Sequence, residues 1–99
     1  MEILNFEFTA KHPPLKKTRV GCVGSGDLEI LMQPATTGKT TIHVITSVDG
    51  SEQRWKNLFE RIFLEQDMPA VHMDIHDFGA TPGVVRLRLE QAFEEVLHG

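Results

Sequence analysis

The chain has 99 residues and a mass of 11.2 kDa, so a single domain spanning residues 1–99 is expected, because sequences this short rarely hold two hydrophobic cores. Its hydrophobic content of 40% is typical of an ordinary globular domain, and its one cysteine, Cys22, excludes an internal disulfide and a cysteine-rich zinc site. No apolar run reaches the ~20 residues of a membrane helix, and MEILNFEF lacks the features of a secretory leader. A cytoplasmic protein without membrane contact is therefore expected.

Charge is unevenly distributed along the chain. Ten basic residues stand against fourteen acidic ones, and four of the basic residues fall between Lys11 and Arg19, where there is no acid. A short basic loop on an acidic chain lacks the broad positive face that nucleic acid binding needs, so no nucleic acid partner is expected. Lys16, Lys17 and Arg19 indicate either a solvated loop or a patch for a phosphate group or an acidic partner.

The first half of the chain alternates between apolar and polar residues, which predicts strands. The predicted strands are Glu2–Thr9, Arg19–Val23, Asp27–Gln33 and Thr40–Val48. The last of these is the strongest, because it is rich in the β-branched residues that pleated sheets favour. Pro34–Lys39 is predicted to be a turn.

A helical period follows the fourth strand. The apolar residues at this spacing, which form one stripe of a helix, are Trp55, Leu58, Phe59, Ile62 and Phe63. Two starting points are compatible with the sequence: Asp49, with Glu52 at capping-box spacing, or Ser51 as the cap.

The last third of the chain contains a further strand and a second helix. Ala70–His76 alternates, and Thr81 followed by Pro82 predicts a helix start with a hydroxyl cap. The inward stripe of this helix is expected to be Val85, Leu89, Ala92, Phe93 and Val96. The order ββββαβα predicts an α+β two-layer sandwich, with two helices on one face of a mixed four- or five-stranded sheet. The strands that flank the first helix should pair in parallel.

The most unusual local feature is Gly24-Ser25-Gly26-Asp27. A serine between two glycines has little steric cover, so a large group can reach its hydroxyl, and glycine backbones can bring successive N–H groups toward an anion. The plainer interpretation is a hairpin turn, in which Gly-Ser-Gly is common. A nucleophile elbow is excluded, because Val23 and Asp27 stand where it requires glycine.

Three other features have a plainer interpretation than the chemistry they suggest. Gly38-Lys39-Thr40 resembles the end of a phosphate-binding P-loop, but Gln33 replaces the required glycine and a strand follows. Asp77-Phe78-Gly79 matches the magnesium motif of kinases in a chain too short to be one. Cys22 lies in an apolar stretch, so a buried and unreactive thiol is expected.

A possible metal site is suggested by His72, Asp74 and His76, which alternation places on one strand face. Neighbouring side chains on such a face are about 6.8 Å apart, so two imidazoles and a carboxylate could hold Zn²⁺ or Fe²⁺. The plainer interpretation is the polar side of a half-covered sheet, and no metal ligand is assigned. A small metal-binding protein remains an alternative function.

Three segments resemble the acyl carrier subunit (delta subunit) of malonate decarboxylase. They are Val23-Gly24-Ser25-Gly26-Asp27-Leu28-Glu29, Val44-Ile45-Thr46-Ser47-Val48 and the long block from Asp74 to Ala92. The similarity spans nearly the whole chain, and the long block is specific.

This resemblance implies a non-catalytic carrier. In that family the serine matching Ser25 carries 2′-(5″-phosphoribosyl)-3′-dephospho-coenzyme A through a phosphodiester bond, and the thiol of the arm holds acetyl or malonyl groups as thioesters. Gly24, Gly26 and Asp27 would form the supporting loop. The implied partners are the acetyl/malonyl transferase and decarboxylase subunits of the same complex, a prosthetic-group transferase, and a malonyl transferase that primes the carrier.

The surroundings of Ser25 differ from those of ordinary acyl carriers, which are helical bundles with an aspartate immediately before the modified serine. Here Gly24 precedes Ser25, so a dedicated nucleotidyltransferase is implied. The acyl carrier of citrate lyase, which uses a similar arm, is an alternative, although its motif around the serine differs. Asp27 would repel a bound phosphodiester, and the basic run at Lys16, Lys17 and Arg19 could offset that charge.

Overall fold

The computed structural model describes residues 1–10, 20–35, 38–65 and 70–98. The elements run in the order β1 (Glu2–Thr9), β2 (Gly21–Ser25), β3 (Leu28–Pro34), β4 (Lys39–Thr46), α1 (Glu52–Glu65), β5 (Val71–Asp77) and α2 (Pro82–His98). The predicted order ββββαβα is confirmed. None of the described helices is both long and apolar enough to cross a membrane.

All five strands form one mixed sheet in the spatial order β1-β4-β5-β3-β2. β4 and β5, which flank α1, pair in parallel as predicted, and Thr46 lies opposite Asp77 at the end of this pair. The remaining neighbours are antiparallel. β2 is therefore an edge strand, joined to β3 by the turn that contains Gly26 and Asp27.

Both helices cover the same face of the sheet, here called the helix face. The ring of Phe59 on α1 lies 5.5 Å from that of Phe6 and 6.5 Å from that of Phe8, both on β1. Phe63 on α1 lies 6.4 Å from Phe93 on α2, so the two helices share one core. The predicted inward stripe of α2 is buried throughout: Val85, Leu89, Ala92, Phe93 and Val96. The predicted α+β two-layer sandwich is confirmed.

Neither α1 nor α2 covers the second face of the sheet, which is here called the open face. Alternation along the strands places on it the residues between the buried ones. Those on the three central strands are Glu29, Leu31 and Gln33 on β3, Lys39, Thr41, His43 and Ile45 on β4, and His72, Asp74 and His76 on β5. Most are polar, as expected for the side of an antiparallel or mixed sheet that meets water.

The two helices begin with different caps. Thr81 precedes α2 as predicted, and its hydroxyl accepts a hydrogen bond from the Val84 amide at 3.3 Å. Ser51 precedes α1, and its carbonyl accepts the first helical bond from Trp55 at 3.1 Å. The alternative start at Asp49 is therefore wrong, because its carboxylate instead binds the N-terminal ammonium at 3.0 Å.

Strand boundaries differ from the predicted ones by one or two residues. β2 was expected over Arg19–Val23 but extends to Ser25, because Ser25 still pairs with Leu28 across the turn. β4 ends at Thr46 rather than Val48, because the Thr46 hydroxyl accepts the Val48 amide at 3.0 Å and turns the chain out of the sheet.

The close packing of α2 on β2 can be tested at Gly21. A Cβ placed there would lie 2.6 Å from the carbonyl oxygen of Ala92 and 3.1 Å from Val96 Cγ2. We expect Gly21→Ala to lower the free energy of unfolding by about 1–3 kcal/mol, because the helix must move to accommodate it. Chemical denaturation measures the change.

The matched control is Gly24→Ala in the same strand, where the added Cβ would meet Glu29 Cγ at an ordinary 3.7 Å. The expected change there is within about 0.5 kcal/mol. Equal losses for the two variants would contradict the close approach of α2 to β2 at Gly21.

Candidate functional site

Ser25 is the last residue of the edge strand β2, at the tip of the β2–β3 hairpin. It pairs with Leu28, which leaves Gly26 and Asp27 as a two-residue turn. Ser25 is half-buried and Gly26 is exposed, and a Cβ added to Gly26 would meet no atom of the described residues within 4 Å. On its Gly26 side, Ser25 therefore has little steric cover from the described residues, as predicted.

The backbone of this turn differs from one sequence-based expectation. Among the described residues, a positive φ occurs only at Gly50 and Gly79, so neither Gly24 nor Gly26 is left-handed. The alternating right- and left-handed backbone of an anion nest is therefore absent here. Gly24 and Gly26 therefore leave the flanks of Ser25 without side chains, but they do not bring successive amides together.

The hydroxyl of Ser25 is hydrogen-bonded within its own turn. Oγ donates to Asp27 Oδ1 at 2.5 Å and lies 3.4 Å from the carbonyl oxygen of Leu28. The hydroxyl is the donor and the carboxylate oxygen is the acceptor, so the shared proton is that of the serine. Sequence reasoning placed Asp27 in the supporting loop without a role. The signal that could have found the contact is the Ser-x-Asp spacing across a two-residue turn.

One backbone hydrogen bond attaches this turn to the chain that follows β5. The amide of Phe78 donates to the carbonyl oxygen of Asp27 at 2.9 Å. The preceding residue, Asp77, is the sheet partner of Leu28. The turn is thus held on two sides, by the β2–β3 ladder and by the end of β5.

Asp77 itself is a buried structural carboxylate that the sequence analysis considered only as part of a kinase-like motif. Its exposed fraction is 2%, and its Oδ1 accepts the amides of Gly79 at 3.0 Å and Ala80 at 2.9 Å. Its Oδ2 accepts the hydroxyl of Thr46 at 2.9 Å. These bonds fix the Phe78-containing loop on which the Ser25 turn rests. Aspartate often stabilises a turn by accepting hydrogen bonds from amides two and three residues ahead. An aspartate directly before a glycine-containing loop is therefore the sequence signal that could have indicated this role.

A groove of about 630 Å³ runs between the β2 edge and α2 and passes beside Gly24. The Cys22 amide, on the free edge of β2, donates to Glu95 Oε2 at 2.8 Å. Arg88 also lines the groove and donates from Nη1 to Gln91 Oε1 at 2.8 Å, while its buried Nε has no hydrogen-bond partner in the described part of the chain. Glu90, Glu94 and Glu95 make the far wall acidic.

The expectation that Cys22 is buried is wrong, because this residue is exposed. Gly21 and Val23 face the helices, so alternation turns Cys22 to the open face. An apolar neighbourhood in sequence did not reveal which face the thiol would occupy.

His72, Asp74 and His76 lie on the open face, as alternation predicted. His72 Nε2 lies 3.2 Å from Asp74 Oδ2, and its Nδ1 lies 2.6 Å from Thr41 Oγ1 on β4. The part of the chain that the structure describes contains no group of three or more His, Cys, Asp or Glu side chains placed to hold a metal ion. His72 and Asp74 therefore belong to a surface hydrogen-bond network.

The structure describes the P-loop-like segment at Lys39 but not the basic run before β2. Lys39, from the P-loop-like segment, begins a strand rather than a helix, and its Nζ lies 2.9 Å from Glu7 Oε1 on β1. The strand that was predicted to follow this segment is therefore confirmed. The patch expected at Lys16, Lys17 and Arg19 lies outside the described residues.

Comparison with known proteins identifies close relatives along the whole chain. The sequence model of the acyl carrier protein family described as the malonate decarboxylase delta subunit matches residues 15–96. The malonate decarboxylase acyl carrier protein of Pseudomonas fluorescens (strain SBW25) is 67% identical, with 99% of each chain covered. That of Stutzerimonas stutzeri (strain A1501) is 64% identical over the same share of each chain.

A solved structure has the same fold. A chain in the crystal structure of a Pseudomonas malonate decarboxylase hetero-tetramer in complex with malonate superposes with a TM-score of 0.84 at 61% sequence identity. The match covers 97% of this chain and 99% of that one.

The structural role of Asp77 can be measured by its removal. We expect Asp77→Ala to lower the free energy of unfolding by about 3 kcal/mol, because it leaves two amides and a hydroxyl without their charged acceptor. Asp74→Ala is the matched control, since Asp74 belongs to the same strand but has a side chain that is 39% exposed on the open face. Its expected effect is within about 0.5 kcal/mol. A similar loss in the two variants, by urea denaturation, would contradict the assigned role.

Proposed function

The chain belongs to the malonate decarboxylase acyl carrier family, and we propose that it carries acetyl and malonyl groups on an arm esterified to Ser25. Members of this family are named as carriers, so this chain is a carrier subunit rather than a catalytic one. The observation that carries the assignment to Ser25 is its hydroxyl at the tip of an edge hairpin, next to a glycine with open space around it. The family match favours this function over a citrate lyase-type carrier.

Access distinguishes Ser25 from Ser51, whose hydroxyl is buried and donates to the carbonyl oxygen of Val48 at 3.0 Å. Ser47 is exposed, but it follows β4 without glycine neighbours. Ser25 combines an accessible position with a hydroxyl proton already directed at a carboxylate. This combination suits a serine that must form an ester bond.

The proposed arm is 2′-(5″-phosphoribosyl)-3′-dephospho-coenzyme A, attached through a phosphodiester. The space beside Gly26 fits such a group, because no described atom lies within 4 Å of a Cβ built there. When attached, the arm supplies a terminal thiol that holds acetyl or malonyl groups as thioesters. Asp27 would repel the phosphodiester charge, which favours an arm directed away from the turn.

The contribution of this chain is to hold one end of the arm at a fixed point. The hairpin is bonded to β5 and packed on α2, so a tethered group moves while its anchor does not. Tethering replaces encounters in bulk solution with a high local concentration at each partner site. The proposed partners are the acetyl/malonyl transferase and decarboxylase subunits, a prosthetic-group nucleotidyltransferase and a priming malonyl transferase. We place this chemistry in the cytoplasm, with residues 1–99 acting as one domain.

Intact-mass measurement tests the attachment site. We expect protein purified from its native host to carry a single arm-sized adduct that is lost in Ser25→Ala. Ser47→Ala is the matched control and should keep the adduct, because Ser47 is exposed but outside the turn. An unmodified chain within an active complex, or an adduct that survives Ser25→Ala, would show that Ser25 is not the carrier residue.

Thiol titration gives a second test, for which the exposed Cys22 must first be removed. We expect loaded Cys22→Ala to titrate one thiol per chain after thioester cleavage, because the arm alone then supplies a thiol. The same variant made without the nucleotidyltransferase should titrate none. A loaded chain with no titratable thiol would contradict the proposed arm.

A further inference from the structure

We propose that Asp27 is the catalytic base for the loading of Ser25, so that the carrier supplies the base for its own modification. This inference rests on the proposed function, because it concerns the reaction that attaches the arm to Ser25. It gives a role to the one acidic residue of the turn, whose charge is otherwise unfavourable beside a phosphodiester.

The first support is the hydrogen bond itself. Ser25 Oγ and Asp27 Oδ1 are 2.5 Å apart, at the short end of the range for a hydroxyl that donates to a carboxylate. A serine hydroxyl is a weak nucleophile and is activated by an adjacent base. With its proton directed at Asp27, Ser25 keeps its oxygen lone pairs free for attack. In protein kinases an aspartate accepts the proton of the attacking hydroxyl in the same way.

The second support is that the backbone fixes this pair. Ser25 is held by its pairing with Leu28, and the carbonyl of Asp27 is held by the amide of Phe78 at 2.9 Å. Only Gly26 separates the two residues in the chain. Base and nucleophile are therefore positioned before the transferase binds, which removes an ordering cost from the reaction.

The third support is that the neighbouring carboxylates are directed elsewhere. Asp77 accepts the Gly79 and Ala80 amides and the Thr46 hydroxyl, so its oxygens are occupied. Glu29 is exposed on the open face, whereas Ser25 shares the helix face with its partner Leu28. Within the described residues, Asp27 is the carboxylate that contacts Ser25 Oγ.

In the proposed loading reaction, the donor of the arm is a triphosphate and the leaving group is diphosphate. A lone pair of Ser25 Oγ forms a bond to the α-phosphorus of the 5″-triphosphate form of the arm, which the nucleotidyltransferase binds. The Oγ–H bond breaks and its proton passes to Asp27 Oδ1. The bond from the α-phosphorus to the bridging oxygen breaks, and diphosphate leaves with the electron pair. Asp27 then releases the proton to water, and the products are the phosphodiester and diphosphate.

Loading kinetics test this role without use of the assembled decarboxylase. The unmodified carrier is incubated with the nucleotidyltransferase and the triphosphate donor, and intact mass follows the adduct over time. We expect Asp27→Asn to lower kcat by about 10²–10⁴-fold, the usual contribution of a general base, with KM for the carrier unchanged. Asparagine keeps an oxygen that accepts the Ser25 hydroxyl but cannot take up its proton.

Three further variants complete the experiment. Asp27→Glu should recover part of kcat, because it restores a carboxylate. Asp27→Ser should load as slowly as Asp27→Asn. It serves as the second variant if thermal unfolding shows that Asp27→Asn is not folded. Glu29→Gln is the matched control, since it removes the same charge two residues away, and it should load at the wild-type rate.

Two outcomes would overturn the role of Asp27. One is a wild-type kcat for Asp27→Asn, which would show that the base lies elsewhere. The other is a loss confined to KM, which would show that Asp27 contacts the transferase instead. A wild-type chain that gains no adduct, or gains it on a residue other than Ser25, would instead contradict the proposed function, so the two failures are distinguishable.

Discussion

The position of Leu28 in the sheet is the constraint on which the rest of the site depends. Leu28 is fully buried and pairs with Ser25 on one side and with Asp77 on the other. A slip of one residue would turn Leu28 and the next buried residues of β3 toward water, so the core itself holds the register. That register brings the Ser25 turn beside the loop after β5, where Phe78 donates to Asp27.

The architecture provides a rigid anchor for the arm that we propose. The anchor is an edge hairpin, and an edge strand leaves one side of its last residue free. The other side is fixed by the buried carboxylate of Asp77, whose oxygens bind the loop that supports the turn. A sheet edge can thus present the serine that we propose as the attachment point of the arm.

Much of the fold could be predicted because it depends on local patterns. Alternation around Ile42 and Val44 is enough to predict β4, and the helical spacing from Trp55 to Phe63 is enough to predict α1. Ser25 could be singled out for a similar reason, because its glycine neighbours are visible in the sequence. These signals need only residue type and spacing.

The remaining features depend on contacts that spacing alone does not determine. The hydrogen bond that Ser25 donates to Asp27 requires a particular side-chain orientation within the turn. Asp77 accepts a hydrogen bond from Thr46, which lies thirty-one residues away in sequence. The exposure of Cys22 depends on which face of β2 meets α2. Asp49 does not cap α1, because its carboxylate binds the N-terminal ammonium. Each of these outcomes is set by tertiary packing rather than by local propensity.

The most direct test of the central claim is a phosphorus–proton correlation spectrum of the loaded, isotope-labelled carrier. A phosphodiester at Ser25 places one phosphorus three bonds from the two β-protons of that residue, so a scalar coupling between them is expected. The expected spectrum connects the arm phosphorus to the Ser25 β-protons. A phosphorus coupled to the protons of another residue, or to none of the protein, would contradict the account.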